Sequence, residues 1–209
     1  MKKTKSKKVS AKKMSSKKAP SKKVLSKKTA TKTATKKGTK KTAKAAVKVT
    51  ATESLLKAGQ KAPLFSAPIE TGQTISLKDY AGKKVVLYFY PKDDTPGCTQ
   101  ESCDFRDSFS RVQAKGAIVL GVSRDSVASH VKFKNKYSLP FSLVSDESGK
   151  ITESYGVWKE KSMYGRKYMG IERTTFILDV DAQGKATVVK VYPKVSVTGH
   201  VDQVLADLG

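Results

Sequence analysis

The chain has 209 residues and a formal net charge of +24, from 42 Lys and Arg against 18 Asp and Glu. Residues 1–52 hold 20 Lys and no acid, while the remainder holds 22 basic residues against 18 acidic ones. That imbalance describes a basic tail joined to an ordinary domain rather than one basic globule, and no run reaches the roughly 18 apolar residues of a membrane-spanning helix.

In the tail, Lys pairs recur at 2–3, 7–8, 12–13, 17–18, 22–23 and 27–28. A five-residue step turns about 140° per repeat on a helix, so no face collects apolar residues. Ser, Thr and Ala fill the gaps, and such a segment buries too little surface to offset its ordering entropy. The reading predicts disorder over residues 1–52 and a folded domain over 53–209. A secretory signal needs a longer apolar core than Ala45-Ala46-Val47, and transit peptides favour Arg, whereas the first Arg is Arg106. The expected location is cytoplasmic, with nucleoid or nuclear association through the tail. The tail resembles the Lys/Ala/Ser/Thr tails of linker histones, which makes DNA or RNA a candidate partner, bound without regard to sequence. A merely solubilising segment is the plainer alternative.

From Glu53 the pattern becomes globular. Pro63–Glu70 and Thr74–Leu77 flank Thr71-Gly72-Gln73 and read as a hairpin. Lys84–Tyr90 is an unbroken apolar run, as expected of a central strand buried on both faces. Cys98–Lys115 reads as a helix ended by Gly116, Ala117–Ser123 as a second buried strand, and Ser126–Tyr137 as a helix capped by Ser126. Alternating strands and helices imply right-handed crossovers and a parallel sheet. Phe141–Val144 reads as a strand and Ser148–Tyr155 as a short helix. Ile171–Asp179 and Ala186–Tyr192 form an antiparallel pair across Asp181-Ala-Gln-Gly184. Gly199–Leu208 closes the chain as a helix. The plan is a thioredoxin-like α/β fold: a central mixed sheet flanked by helices, with an extra N-terminal hairpin.

The chemistry concentrates in Pro91-Lys-Asp-Asp-Thr95-Pro-Gly-Cys98-Thr-Gln-Glu101-Ser-Cys103, which holds both cysteines of the chain. A thiol in the first turn of a helix faces outward-pointing backbone N–H groups and the positive end of the dipole, conditions that favour the reactive thiolate. In a reducing compartment such a pair is a redox site more readily than a structural staple. Two inert buried thiols are the plain competitor. A zinc site would need His130 and His200, which the pattern puts on surface-like helices. A disulfide oxidoreductase would want Cys-x-x-Cys, which is absent.

The motif Pro91-x-x-x-Thr95-x-x-Cys98 resembles the active-site pattern of peroxiredoxins. Cys103, five residues on, is similar to the resolving cysteine of the bacterioferritin comigratory protein or peroxiredoxin Q subfamily. Tyr88-Phe-Tyr-Pro-Lys92, Leu143-Val-Ser-Asp-Glu147, Gly156-Val-Trp158-Lys-Glu-Lys-Ser162 and Ile171-Glu-Arg173-Thr-Thr-Phe-Ile-Leu178 extend the resemblance over roughly residues 55–208.

The resemblance implies a thiol peroxidase with no metal or organic cofactor, a hydroperoxide substrate, thioredoxin as reductant and a monomeric state. Cys98 would be the peroxidatic thiolate and become a sulfenic acid, and Cys103 would condense with it to a disulfide. Thr95 would offer its hydroxyl to the thiolate and the peroxide. Arg173 would supply positive charge, Glu101 would orient Arg173, and Pro91 would shield the sulfur from water. On a regular helix the two Cα atoms would stand about 8–9 Å apart, beyond the roughly 7 Å that a disulfide tolerates. Bond formation therefore requires the helix to unwind between Cys98 and about Asp107. The alternative reading of the whole chain is a nucleic-acid-binding protein whose redox domain only senses oxidants.

Overall fold

The computed structural model describes residues 54–163 and 165–209. The Lys-rich tail expected over residues 1–52 lies outside them. The order of elements is β1 (Ser66–Pro68), β2 (Thr74–Ser76), a 3-10 turn (Leu77–Tyr80), β3 (Lys83–Phe89), α1 (Pro96–Asp107), α2 (Phe109–Ala114) and β4 (Ala117–Ser123). Then follow α3 (Val127–Tyr137), β5 (Ser142–Ser145), α4 (Lys150–Ser154), β6 (Trp158–Met163), β7 (Arg166–Ile171), β8 (Thr174–Val180), β9 (Ala186–Tyr192) and α5 (His200–Asp207).

Five strands form the central sheet in the order β5-β4-β3-β8-β9. β3, β4 and β5 are parallel, with Leu87 opposite Leu120 and Gly121 opposite Leu143. β8 runs antiparallel between β3 and β9. This is the thioredoxin-like α/β fold, with β1–β2 as the added hairpin. Every residue of β3 from Val85 to Phe89 is buried, because each face of the strand packs on its own apolar layer. Val85, Leu87 and Phe89 meet Leu178, Phe176 and Tyr155 on one side. Val86, Tyr88 and Tyr90 meet Phe105, Phe133 and Leu143 on the other, and Cys98 belongs to this second layer. Each such large side chain stabilises the fold by about 1.5–3 kcal/mol relative to exposure.

Three expectations need correcting, and one element was not foreseen. The helix read over Cys98–Lys115 is two: it starts at Pro96, breaks at Ser108 (φ −96°, ψ 4°), and resumes at Phe109. Pro at the first helical position costs no hydrogen bond, so the start moves upstream of Cys98. The strand read over Ile171–Asp179 is also two, since Ile171 ends β7 and β8 opens at Thr174. β6 and β7 form a second hairpin that the polar run Lys159-Glu-Lys161 concealed. Finally, His130 and His200 are buried rather than on surface faces. His130 is held by Asp93 and the Val144 carbonyl, and His200 Nε2 lies 2.8 Å from the Thr175 hydroxyl. Burial in each case is set by a partner distant in the chain.

Among the described residues no helix is long and apolar enough to cross a membrane.

Candidate active site

β3 ends at Phe89, and the chain leaves the sheet through Tyr90–Thr95 into α1. Thr95 takes the N-cap position with extended backbone (φ −94°, ψ 150°), and its carbonyl accepts the Thr99 N–H at 2.8 Å. Its hydroxyl donates to the Lys92 carbonyl at 3.0 Å, closing the turn before the helix instead of capping it. Pro91 is exposed, directly after β3. Asp94 adopts a left-handed conformation (φ +56°) that turns the loop toward α1.

Cys98 is the third residue of α1 and is only 1% exposed. Glu101 lies one turn on, so both side chains share one face of the helix. Arg173 bridges them from the joint between β7 and β8. Its Nη2 donates to the Cys98 sulfur at 3.2 Å and its Nη1 to Glu101 Oε2. The Glu101 side chain is fully buried and that of Arg173 is 15% exposed. Burial pushes the Glu101 carboxyl up to about 7, with Arg173 pulling in the opposite direction. Glu101 Oε1 has no hydrogen-bond partner among the described residues. The guanidinium is thus fixed by a carboxylate at one nitrogen and presents another to the thiol.

Cys103 lies on the same helix, half-buried, and both thiols are free. The helix between them is intact, so this is the reduced form with the two cysteines held apart.

Two features of the site escaped the sequence reading. A Cβ at Gly97 would lie 3.3 Å from Arg173 Nη2, so the glycine clears the path of the guanidinium over the first helical turn. Its signal was the Pro96-Gly97 pair, which reads as turn punctuation. The second feature is Lys161 on β6, whose ammonium is within electrostatic reach of Arg173, Glu172 and Cys98. Burial and then Arg173 push it below the usual lysine range. Trp158 packs under the Arg124 guanidinium, 3.5 Å from ring to cation, which makes it a packing residue. Among the described residues no His, Cys, Asp and Glu side chains cluster as a metal site would require.

Residues 58–186 match the model of the AhpC/TSA family. The chain is 52% identical over 153 residues to a putative peroxiredoxin bcp of Coxiella burnetii, covering 73% of this chain and 99% of that one. It is 47% identical over 153 residues to peroxiredoxin Bcp of Bacillus subtilis, covering 73% and 95%. Among solved structures, peroxiredoxin Q of Xanthomonas campestris superposes with a TM-score of 0.64 at 45% identity, covering 69% of this chain and 89% of that one. A peroxiredoxin Q mutant of Xylella fastidiosa gives a TM-score of 0.68 at 36% identity, covering 74% and 96%. The chain belongs to the Bcp/peroxiredoxin Q branch of the AhpC/TSA peroxiredoxins. It is a thiol peroxidase. In this peroxiredoxin the matched region excludes the Lys-rich tail, which is an addition to the shared domain.

Proposed function

We propose that this peroxiredoxin reduces hydrogen peroxide and alkyl hydroperoxides through Cys98 and Cys103, with thioredoxin as the reductant. The Cys98 sulfur attacks the terminal peroxide oxygen. The S–O bond forms as the O–O bond breaks, the water or alcohol leaves with a proton, and Cys98 is left as a sulfenic acid. Cys103 then attacks that sulfur, releasing water and forming the disulfide. Two electrons and two protons from a dithiol restore both cysteines. Arg173 stabilises the negative charge that moves from sulfur to the departing oxygen. Glu101 holds Arg173, and the Thr95 hydroxyl, which here donates to the Lys92 carbonyl, would turn to the thiolate and the incoming peroxide. Pro91, exposed at the start of the loop, would shield the Cys98 sulfur from water.

The observation that carries this reading is the Arg173 Nη2 to Cys98 Sγ contact of 3.2 Å, made by a guanidinium already fixed to a buried carboxylate. A related protein of X. campestris is described by its alkyl peroxide reduction activity, which supports the organic substrates. The test is peroxide turnover with thioredoxin, thioredoxin reductase and NADPH. Wild type should turn over, Cys98→Ser should not react, and Cys103→Ser should consume one equivalent and stop. Turnover by Cys98→Ser would end the reading.

The working unit in this reading is a cytoplasmic monomer formed by residues 53–209. The 20 lysines of residues 1–52 favour a second role for the tail, as an electrostatic anchor on DNA or RNA. If 6–10 of them contact phosphates, affinity falls by about 10³–10⁵-fold between 50 and 200 mM salt. A gel shift comparing the full chain with one starting at Glu53 decides it: equal binding by the two would remove the anchor.

A further inference from the structure

Two consecutive carboxylates stand in the catalytic loop, and both reach away from Cys98 to helix α3. Asp93 is buried. It accepts from the Tyr90 hydroxyl at 2.7 Å and from the Ser129 hydroxyl at 2.7 Å, and lies 2.9 Å from His130 Nδ1. The other nitrogen of His130 faces the Val144 carbonyl at 3.2 Å, so the ring spans from the loop to β5. The Asp93 N–H donates to Asp125 Oδ2 at 2.9 Å, and Asp125 also accepts from the Ser123 hydroxyl at the end of β4. Asp94 receives Lys136 Nζ at 2.7 Å and the Tyr137 hydroxyl at 2.6 Å. The Tyr137 carbonyl in turn accepts from Arg106 Nη1 at 2.9 Å, near the far end of α1.

Helix α3 therefore grips both ends of the segment that carries Cys98 and Cys103, and the two grips are unequal. The upstream grip has a dry part, with His130 fully buried and Asp93 7% exposed, beside the solvent-exposed pairing of Asp94 with Lys136. The downstream grip rests on Arg106, whose side chain is 33% exposed. A buried carboxylate is stabilised only while all its donors stay in place, whereas a half-exposed bond exchanges readily with water. A buried polar cluster of this kind specifies one geometry more than it adds stability.

We propose that Asp93 and His130 are positioning residues of the peroxidase site, locking the loop Pro91–Thr95 onto α3. The lock keeps Thr95, Gly97 and Cys98 in register with Arg173. It also directs the unwinding of α1, which opens from Cys98 toward Arg106 and carries Cys103 to a stationary loop. This rests on the peroxidase reading above.

The experiment uses the full chain and separates kcat/KM for peroxide from kcat/KM for reduced thioredoxin. His130→Leu should lower the peroxide constant by about ten- to a hundredfold, the loss expected when a reacting group is displaced by about 1 Å. It should leave the thioredoxin constant unchanged. His130→Asn, which keeps an N–H donor for Asp93, should recover most of the loss. Val188→Ala, in the apolar layer on the opposite face of the sheet, controls for lost stability and should leave both constants unchanged at a matched fall in Tm. Equal peroxide constants for His130→Leu and this control would overturn the lock. Should His130→Leu not fold, Ser129→Ala removes one donor from Asp93 at a half-buried position, and an unchanged peroxide constant there overturns it equally. Hydrogen exchange of the disulfide form tests the direction of unwinding. The Asp93 amide should stay protected while amides 99–107 exchange, and loss of protection at Asp93 would refute it. A wild type that consumes no peroxide would instead sink the peroxidase reading itself.

Discussion

Arg173 reaches the Cys98 sulfur at 3.2 Å with one nitrogen while its other terminal nitrogen is anchored on Glu101. The side chain comes from a joint between two sheets, so its position is fixed by the backbone of β8 rather than by the helix it serves. A lysine there keeps the charge but cannot hold both partners in one plane. Arg173→Lys is therefore expected to slow the reaction of Cys98 with peroxide by about 10²–10³-fold, the range found when one preorganised donor is lost. Stopped-flow consumption of hydrogen peroxide in a single turnover measures this directly.

Glu101 sets a pH dependence. Its carboxyl is pushed up to about 7 by burial, against the pull of Arg173. Below that pH the group is neutral and its grip on the guanidinium weakens; above it the carboxylate holds Arg173 in place. The rate constant for peroxide should therefore carry an inflection near pH 7, with the faster limb on the alkaline side, and Glu101→Gln should lose that inflection. Stability runs the opposite way. A folded value raised above the ordinary 4.5 of an unfolded Glu gives a contribution that is full below 4.5 and lost as pH rises through about 7. Urea midpoints at pH 5 and pH 8 should differ less in the Gln variant than in wild type.

The parts of the fold that could be read from sequence are those where burial is local in the chain. β4 at Ala117–Ser123 and β9 at Ala186–Tyr192 were legible to the residue, because their apolar runs are bounded by Gly or turn residues. The β6–β7 hairpin was not, since the charges of Lys159, Glu160, Arg166 and Lys167 hide its alternation, and only the fold brings Glu160 to Lys167 across the strands and Lys159 to Glu172. The break at Ser108 was hidden because Phe105, Phe109 and Val112 keep helical spacing straight through it. In the site, the helix-start setting of Cys98 was plain from Thr95-Pro-Gly. The union of Glu101 with Arg173 joins residues 72 apart in the chain, so the family resemblance pointed to it where no local pattern could. The burial of His130 depends in the same way on Asp93, 37 residues away.

His200 makes the acid limb of stability testable. Burial, and then the charge of Arg173, push its imidazole down to about 4 from the ordinary 6.5. The folded protein holds the ring neutral against the Thr175 hydroxyl and the edges of Phe105 and Tyr192. Its contribution is full above pH 6.5 and is lost progressively as pH falls toward 4, at up to about 1.4 kcal/mol per pH unit for one group. His200→Gln should flatten the fall in urea stability between pH 6.5 and 4.5 while leaving the alkaline side unaltered.

The cysteine pair predicts a change of secondary structure on oxidation. Both residues lie on the continuous helix Pro96–Asp107, a geometry that separates their Cα atoms by about 8–9 Å. A disulfide closes only within about 7 Å, so the helix has to open before the bond can form. Opening also breaks the Arg106 bond to the Tyr137 carbonyl and draws Phe105 away from Tyr88, with which it stacks at 4.9 Å. Treating the reduced protein with one equivalent of peroxide should therefore reduce its far-ultraviolet helical signal and raise exchange of the amides from Cys98 to Asp107. Cys103→Ser should show neither change, because its sulfenic acid has no partner to travel to. A disulfide form with that helix intact would mean that Cys98 and Cys103 bond by some route other than local unwinding.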